Sequence, residues 1–203
     1  MAEMKASKKK GAKKRFFEVE TPLTAAKVHL YSSGEDELDG RVVRLDLSRS
    51  LRGKGFELKL RVKFDGGKLK GEPMSLALVG SYVRRMMRKG ADYVEDSFQA
   101  ECKDAKFIVK PFFITRNKVS RAVIKVLRES ARKSVEGHMK NRSSEELFKE
   151  IMANKLQKEL SLKLKKIYPL ALCEIRVFEV VEVLEKKGSG EKADKGAEKK
   201  EEG

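Results

Sequence analysis

Phe56-Glu57-Leu58-Lys59-Leu60-Arg61-Val62-Lys63-Phe64 alternates apolar and charged residues without a break. In an extended chain successive side chains point to opposite faces. Phe56, Leu58, Leu60, Val62 and Phe64 therefore share one side, and Glu57, Lys59, Arg61 and Lys63 share the other. Such a strand keeps one face in water and buries the other, the signature of an antiparallel sheet with one wet side. Upstream, Arg41–Leu47 repeats the pattern, with Val43, Leu45 and Leu47 facing one way and Arg44 and Asp46 the other. Arg49, Arg52 and Lys54 lie in the glycine-containing connection between the two runs, which suits a hairpin.

Toward the N-terminus, Phe16–Glu20 and Lys27–Tyr31 read as short extended pieces on either side of Pro22. Before them, no apolar face can be drawn through residues 1–15, which hold Lys5, Lys8, Lys9, Lys10, Lys13, Lys14 and Arg15. This is expected to be a disordered basic arm. Toward the C-terminus, Pro73 and Ser75 open a predicted helix that Gly90 closes, with an apolar stripe of Leu76, Val79, Val83 and Met86. Arg84, Arg85, Arg88 and Lys89 crowd its end, where cations complement the helix dipole. Ala91–Cys102 and Lys106–Thr115 read as a hairpin turning at Lys103-Asp104-Ala105.

From Asn117 to about Met139 the period becomes helical. Val119, Ala122, Val123, Val126 and Leu127 supply its apolar side, and Lys118, Arg121, Lys125, Arg128, Arg132 and Lys133 its basic side. Ser143-Ser144-Glu145-Glu146 has the form of a capping box ahead of Leu147, Phe148, Ile151 and Met152. A helix over 154–166 stops at Pro169, and Leu172–Leu184 returns as a last strand. The order of elements predicts an α+β fold: an antiparallel or barrel-like sheet with packed helices. Residues 16–184 form its single domain, with a helical insertion at about 117–166, and 185–203 read as a mobile, low-complexity charged tail.

The search for chemistry returns little. His29 and His138 have no evident partner, Gly53-Lys54-Gly55 and Gly66-Gly67 read as turns, and no phosphate-binding loop is present. Glu35, Asp36, Glu37 and Asp39 read as a solvated loop ahead of a cation site. Cys102 and Cys173 belong to no metal or redox spacing and read as buried thiols in a reducing compartment. No signal peptide and no run of about 18 apolar residues is found, so the expectation is a cytoplasmic protein, not an enzyme, with no cofactor and no metal.

Charge carries the functional reading. The formal net charge is +16 over 203 residues, and the last nineteen or so are nearly balanced in sign, so the excess sits on the body and arm. Like charges on one small body repel, and a polyphosphate relieves that repulsion while releasing counterions. The expected RNA contacts are Lys8, Lys9, Lys10, Lys13, Lys14 and Arg15 in the arm, and Lys59, Arg61 and Lys63 on the strand. Arg84, Arg85 and Arg88 follow on the first helix, and Lys118, Arg121, Arg128, Arg132 and Lys133 on the second. Most aromatics fall on apolar strand phases, so folded RNA read through phosphates is expected; Phe16-Phe17 behind the arm is the exception that could stack on a base. Two rivals remain. A DNA-packaging or regulatory protein would prefer duplex DNA, and an RNA-modifying enzyme would need a pocket near His29 or Cys173.

Four stretches, in order over about residues 13–184, carry a family likeness. They are Lys14-Arg15-Phe16-Phe17-Glu18-Val19 with Pro22; Leu38-Asp39-Gly40-Arg41-Val42; Phe112-Phe113-Ile114-Thr115; and Ile167-Tyr168-Pro169-Leu170. With them the chain resembles the archaeal and eukaryotic small-ribosomal-subunit family S-three-A-e, also called eukaryotic-type S-one. Phe16 stands where many of that family have Trp, and this chain has no Trp. The resemblance implies a structural constituent of the small ribosomal subunit. Its partners would be small-subunit ribosomal RNA and neighbouring ribosomal proteins, and its place the platform near the messenger exit.

Overall fold

A computed structural model of the chain describes residues 13–24, 27–51 and 53–183. The expectations for Lys8, Lys9, Lys10, Arg52 and the 185–203 tail fall outside those residues.

The alternating run becomes β4, Phe56–Asp65, and Gly66-Gly67 returns it directly into β5, Lys68–Leu78. Both glycines have positive φ, +53° and +91°, the conformation that a two-residue hairpin turn demands and that a Cβ disfavours. β3, Val42–Asp46, pairs antiparallel with the other edge of β4. Phe56, Leu58, Leu60 and Val62 are buried as the alternation requires, together with Leu47; Val43 and Leu45 are half-buried.

The far edge of β5 is shared. Its first half pairs in parallel with β1 (Arg15–Glu20), which forms a hairpin with β2 (Val28–Ser32). Its second half pairs antiparallel with β9 (Leu170–Val183), which in turn pairs with β8 (Ala105–Thr115). The outer edge of β8 carries β6 (Tyr93–Glu95) and β7 (Phe98–Glu101). The nine strands of the described residues make one open sheet, antiparallel except at β1–β5, so the closed barrel alternative is not realised among them.

Helix α1 spans Gly80–Met86, α2 Arg121–Met139, α3 Ser144–Met152 and α4 Lys155–Lys165. The last three leave the sheet after β8, and β9 re-enters it between β8 and β5. Ser143 and Glu146 form the capping box reciprocally, which starts α3 where the sequence places it. Phe148 of α3 meets Phe178 and Phe107 edge-on, at 5.1 and 5.9 Å, while those two rings stack at 4.3 Å. This aromatic cluster joins the helices to β8 and β9. A smaller core of Val19, Leu38, Val62 and Leu69 holds the β1–β2 hairpin to β4 and β5, with Phe17 and Leu30 packed on it.

Two expectations are corrected. Residues 73–78 are strand, and the helix predicted from Pro73 and Ser75 to Gly90 is only Gly80–Met86. Pro73 has no N–H to give a ladder, and it sits where the β4–β5 register shifts, between Lys59 and Leu60, so the strand passes through it. Leu76 therefore belongs to the sheet core. In α2 the buried stripe is Leu127, Ala131, Val135 and Met139, whereas Ala122 and Val126 are exposed. The helix also begins four residues late, because Asp92 holds Val119 in the preceding loop.

Candidate nucleic-acid interface

Asp92 is the residue that brings basic segments together. Its carboxylate accepts the Val119 N–H at 2.7 Å, its own N–H donates to the Thr115 hydroxyl at 2.9 Å, and its carbonyl accepts the Thr115 N–H at 2.9 Å. The loop that follows α1 is thereby tied to the loop that precedes α2. Arg84, Arg85, Arg88 and Lys89 on the first side, and Arg116 and Lys118 on the second, are all exposed. Each lies within eight residues of Asp92 or Val119 along the chain. None of the six has an ion-pair partner among the described residues. Arg85 lies over the Tyr82 ring, 5.8 Å from its centroid, which steadies it without neutralising it. The distinctive Ile167-Tyr168-Pro169-Leu170 turn closes the same region: the Pro169 carbonyl accepts the Arg116 N–H, and Leu170 pairs with Thr115.

On α2 the stripe that is buried determines which cations align. Arg121, Lys125, Arg128 and Arg132 follow one another at spacings of four, three and four residues, so they form a single exposed row along the helix. At 1.5 Å per residue the row is about 16 Å long. It continues the α1–α2 loop surface. Arg132 is partly committed, to Glu136 at 2.8 Å and to the Phe98 ring at 5.7 Å. Lys133 points elsewhere. It lines an open depression of about 520 Å³ with His138, Asn141, Arg142 and Lys163, between α2 and α4. His138, which showed no evident partner in the sequence, has two: Nε2 lies 2.8 Å from Glu150 and Nδ1 3.2 Å from Glu159, so it joins α2 to α3 and α4.

The wet face of the sheet is more diluted than the strand alone suggests. Arg61 pairs in register with Glu72 and Lys63 with Lys70, while Lys63 forms an ion pair with Glu72 at 2.7 Å and Lys70 with Asp65 at 3.6 Å. Such exposed pairs contribute at most about 1 kcal/mol, and a phosphate can displace them. Lys59 is half-buried beside Arg44 of β3. Lys13, Lys14 and Arg15 lie exposed at the start of β1.

Other candidate chemistry is absorbed by structure. Glu37 accepts a hydrogen bond from the Ser32 hydroxyl at 2.6 Å, and Asp39 one from the Phe64 N–H at 3.2 Å, so these acids shape a turn. Both cysteines are buried and unpaired, and burial pushes the Cys173 thiol far above its ordinary range. Lys54, read as a loop cation, instead reaches inward to the buried Glu174 carboxylate and donates to Asn154 at 2.8 Å. A second open depression, about 610 Å³, is lined in part by Gln99, Glu101, Lys106 and Lys140; neither depression includes His29 or Cys173. No helix among the described residues is long and apolar enough to cross a membrane.

Sequence reasoning did not single out Arg116 and Lys70 among the exposed cations, nor Tyr31, whose alternation with Leu30 was the available signal and which pairs in register with Phe16.

Comparison with known proteins agrees with the motif likeness. The small ribosomal subunit protein eS1 of Methanothermobacter thermautotrophicus is 31% identical over 144 residues, covering 66% of this chain and 72% of its own length. The small ribosomal subunit protein eS1 of Nanoarchaeum equitans is 28% identical over 117 residues, covering 57% of this chain and 59% of its own. The Ribosomal S3Ae family profile matches residues 2–183, a span that contains every described strand and helix, and the chain belongs to that family.

Proposed function

We propose that this protein is a non-enzymatic constituent of the small ribosomal subunit, working in the cytoplasm as part of the ribosome. It binds folded ribosomal RNA through phosphate contacts. The family match over residues 2–183 is the observation that carries this reading. The exposed cations at the α1–α2 loops and along α2, of which only Arg132 has an ion-pair partner among the described residues, supply its physics, because a surface of one sign is stabilised when phosphate neutralises it.

In this reading residues 16–184 are one RNA-binding body. Arg84, Arg85, Arg88, Lys118, Arg121, Arg128 and Arg132 dock an RNA helix along the Asp92-tied surface. Lys59, Arg61, Lys63 and Lys133 give secondary contacts. Lys8, Lys9, Lys10, Lys13, Lys14 and Arg15 extend the contact as an arm, with neighbouring small-subunit proteins around it. The platform near the messenger exit is the location that the family resemblance supports.

The test is a salt titration of binding to small-subunit ribosomal RNA, with duplex DNA as competitor. Each neutralised phosphate contributes about 0.7 to 0.9 to the log–log slope. Deleting residues 1–15 is expected to weaken binding and flatten that slope. Unchanged affinity and slope, or a preference for duplex DNA, would refute the reading.

A further inference from the structure

Phosphate docking leaves one feature of the sheet unexplained. Phe16 is 72% exposed, and Tyr31, opposite it in the β1–β2 register, is 53% exposed. Their ring centroids lie 5.0 Å apart with planes inclined at 47°, so each leaves much of its face in water. By register they stand on the same side of the sheet as Lys63 and Lys70. Lys14 Nζ lies 5.8 Å from the Tyr31 centroid, and Lys13 and Arg15 flank it, both exposed. Glu18, the next outward residue on β1, is already paired with Lys27 at 3.0 Å, so the arm's cations set the local field.

The hairpin does not need these rings in order to fold. Phe17, Val19 and Leu30 supply its inward packing, and Phe16 contributes nothing to that cluster. Two aromatic faces held in water beside three consecutive cations match the two halves of a nucleotide. A base offers a π-face of any sequence, and the flanking phosphates offer negative charge. An apolar side chain of a neighbouring protein would cover the rings and leave the three cations unmatched.

We propose that Phe16 and Tyr31 form a stacking platform for an unpaired base of ribosomal RNA, with Lys13, Lys14 and Arg15 holding its flanking phosphates. This rests on the RNA-binding reading above and adds a single-strand contact to it.

The experiment uses the full chain and three probes: a single-stranded RNA of about ten nucleotides carrying 2-aminopurine, an abasic oligomer of equal length, and an RNA duplex. F16A and Y31A should each lower affinity for the first probe about thirtyfold, the middle of the range for losing one stacked base. Abasic and duplex affinities and all salt slopes should stay at wild-type values. F16W should restore binding and the quenching of 2-aminopurine fluorescence. Both side chains are exposed, so these variants fold, and F16W separates lost stacking from lost structure. Wild-type affinity of F16A for the single strand, or an equal loss on the abasic oligomer, overturns the proposal while the duplex result leaves the RNA-binding reading standing. A wild-type chain that binds none of the probes overturns both. An F16A protein that binds every RNA normally yet drops out of small subunits assigns the pair to a protein neighbour and also overturns it.

Discussion

Among single residues, Glu174 shows how the body tolerates a charge it has buried. Its carboxylate sits in β9 against Lys54, one oxygen has no hydrogen-bond partner among the described residues, and burial raises its pKa above the usual carboxylate range despite the lysine. A carboxyl raised in the folded state holds its proton more tightly there than in the unfolded chain. Its contribution is therefore most favourable below the ordinary carboxylate range and is lost as pH rises through the folded value. Glu174→Gln keeps the shape and a carbonyl acceptor for Lys54 but cannot ionise. Its melting temperature relative to wild type should rise as the pH climbs out of the ordinary carboxylate range and through the raised folded value, the window in which the wild-type carboxyl is forced to charge. A variant that loses ground over that window would show that the Lys54 pair outweighs burial.

Secondary elements owe their positions here to contacts made far along the chain. Asp92 puts a negative charge amid a cationic surface, so charge counting alone says that Asp92→Ala should strengthen RNA binding. The geometry says the opposite, since removing the carboxylate releases Val119 and loosens the loop before α2, even though the backbone bonds between Asp92 and Thr115 remain. D92A should weaken binding to small-subunit ribosomal RNA several-fold and cost about 1–2 kcal/mol of stability, measured by filter binding and urea unfolding. Tighter binding would mean that the loops need no tie. The same dependence on distant contacts decides what the chain reveals on inspection. β4 and the start of α3 are legible because alternation and a capping box are local signals. β5 is not, because Gly71 and Pro73 break its alternation and Pro73 followed by Ser75 imitates a helix start. Its ladders to β4, β1 and β9 make it a strand. Likewise the cations of α2 are legible as a polar phase, but which of them align depends on the stripe that the sheet and α4 bury. Lys54 read as a solvent cation because its partner, Glu174, arrives from the other end of the chain.

At the scale of the whole molecule, α2, α3 and α4 pack against β7, β5 and β9 of an open sheet, and exposed cations lie at the α1–α2 loops and beside the β1–β2 hairpin. Most of the net charge of +16 lies on the described residues, and in the proposed reading phosphate is what neutralises it. The most direct measurement is a lysine-acetylation footprint of the free protein against the same protein in assembled small subunits. Lys13, Lys14, Lys118 and Lys125 should be modified in the free chain and protected in the particle, while Lys149, on α3 and outside the proposed contacts, keeps its reactivity. Equal modification of those four lysines in both states would contradict the account.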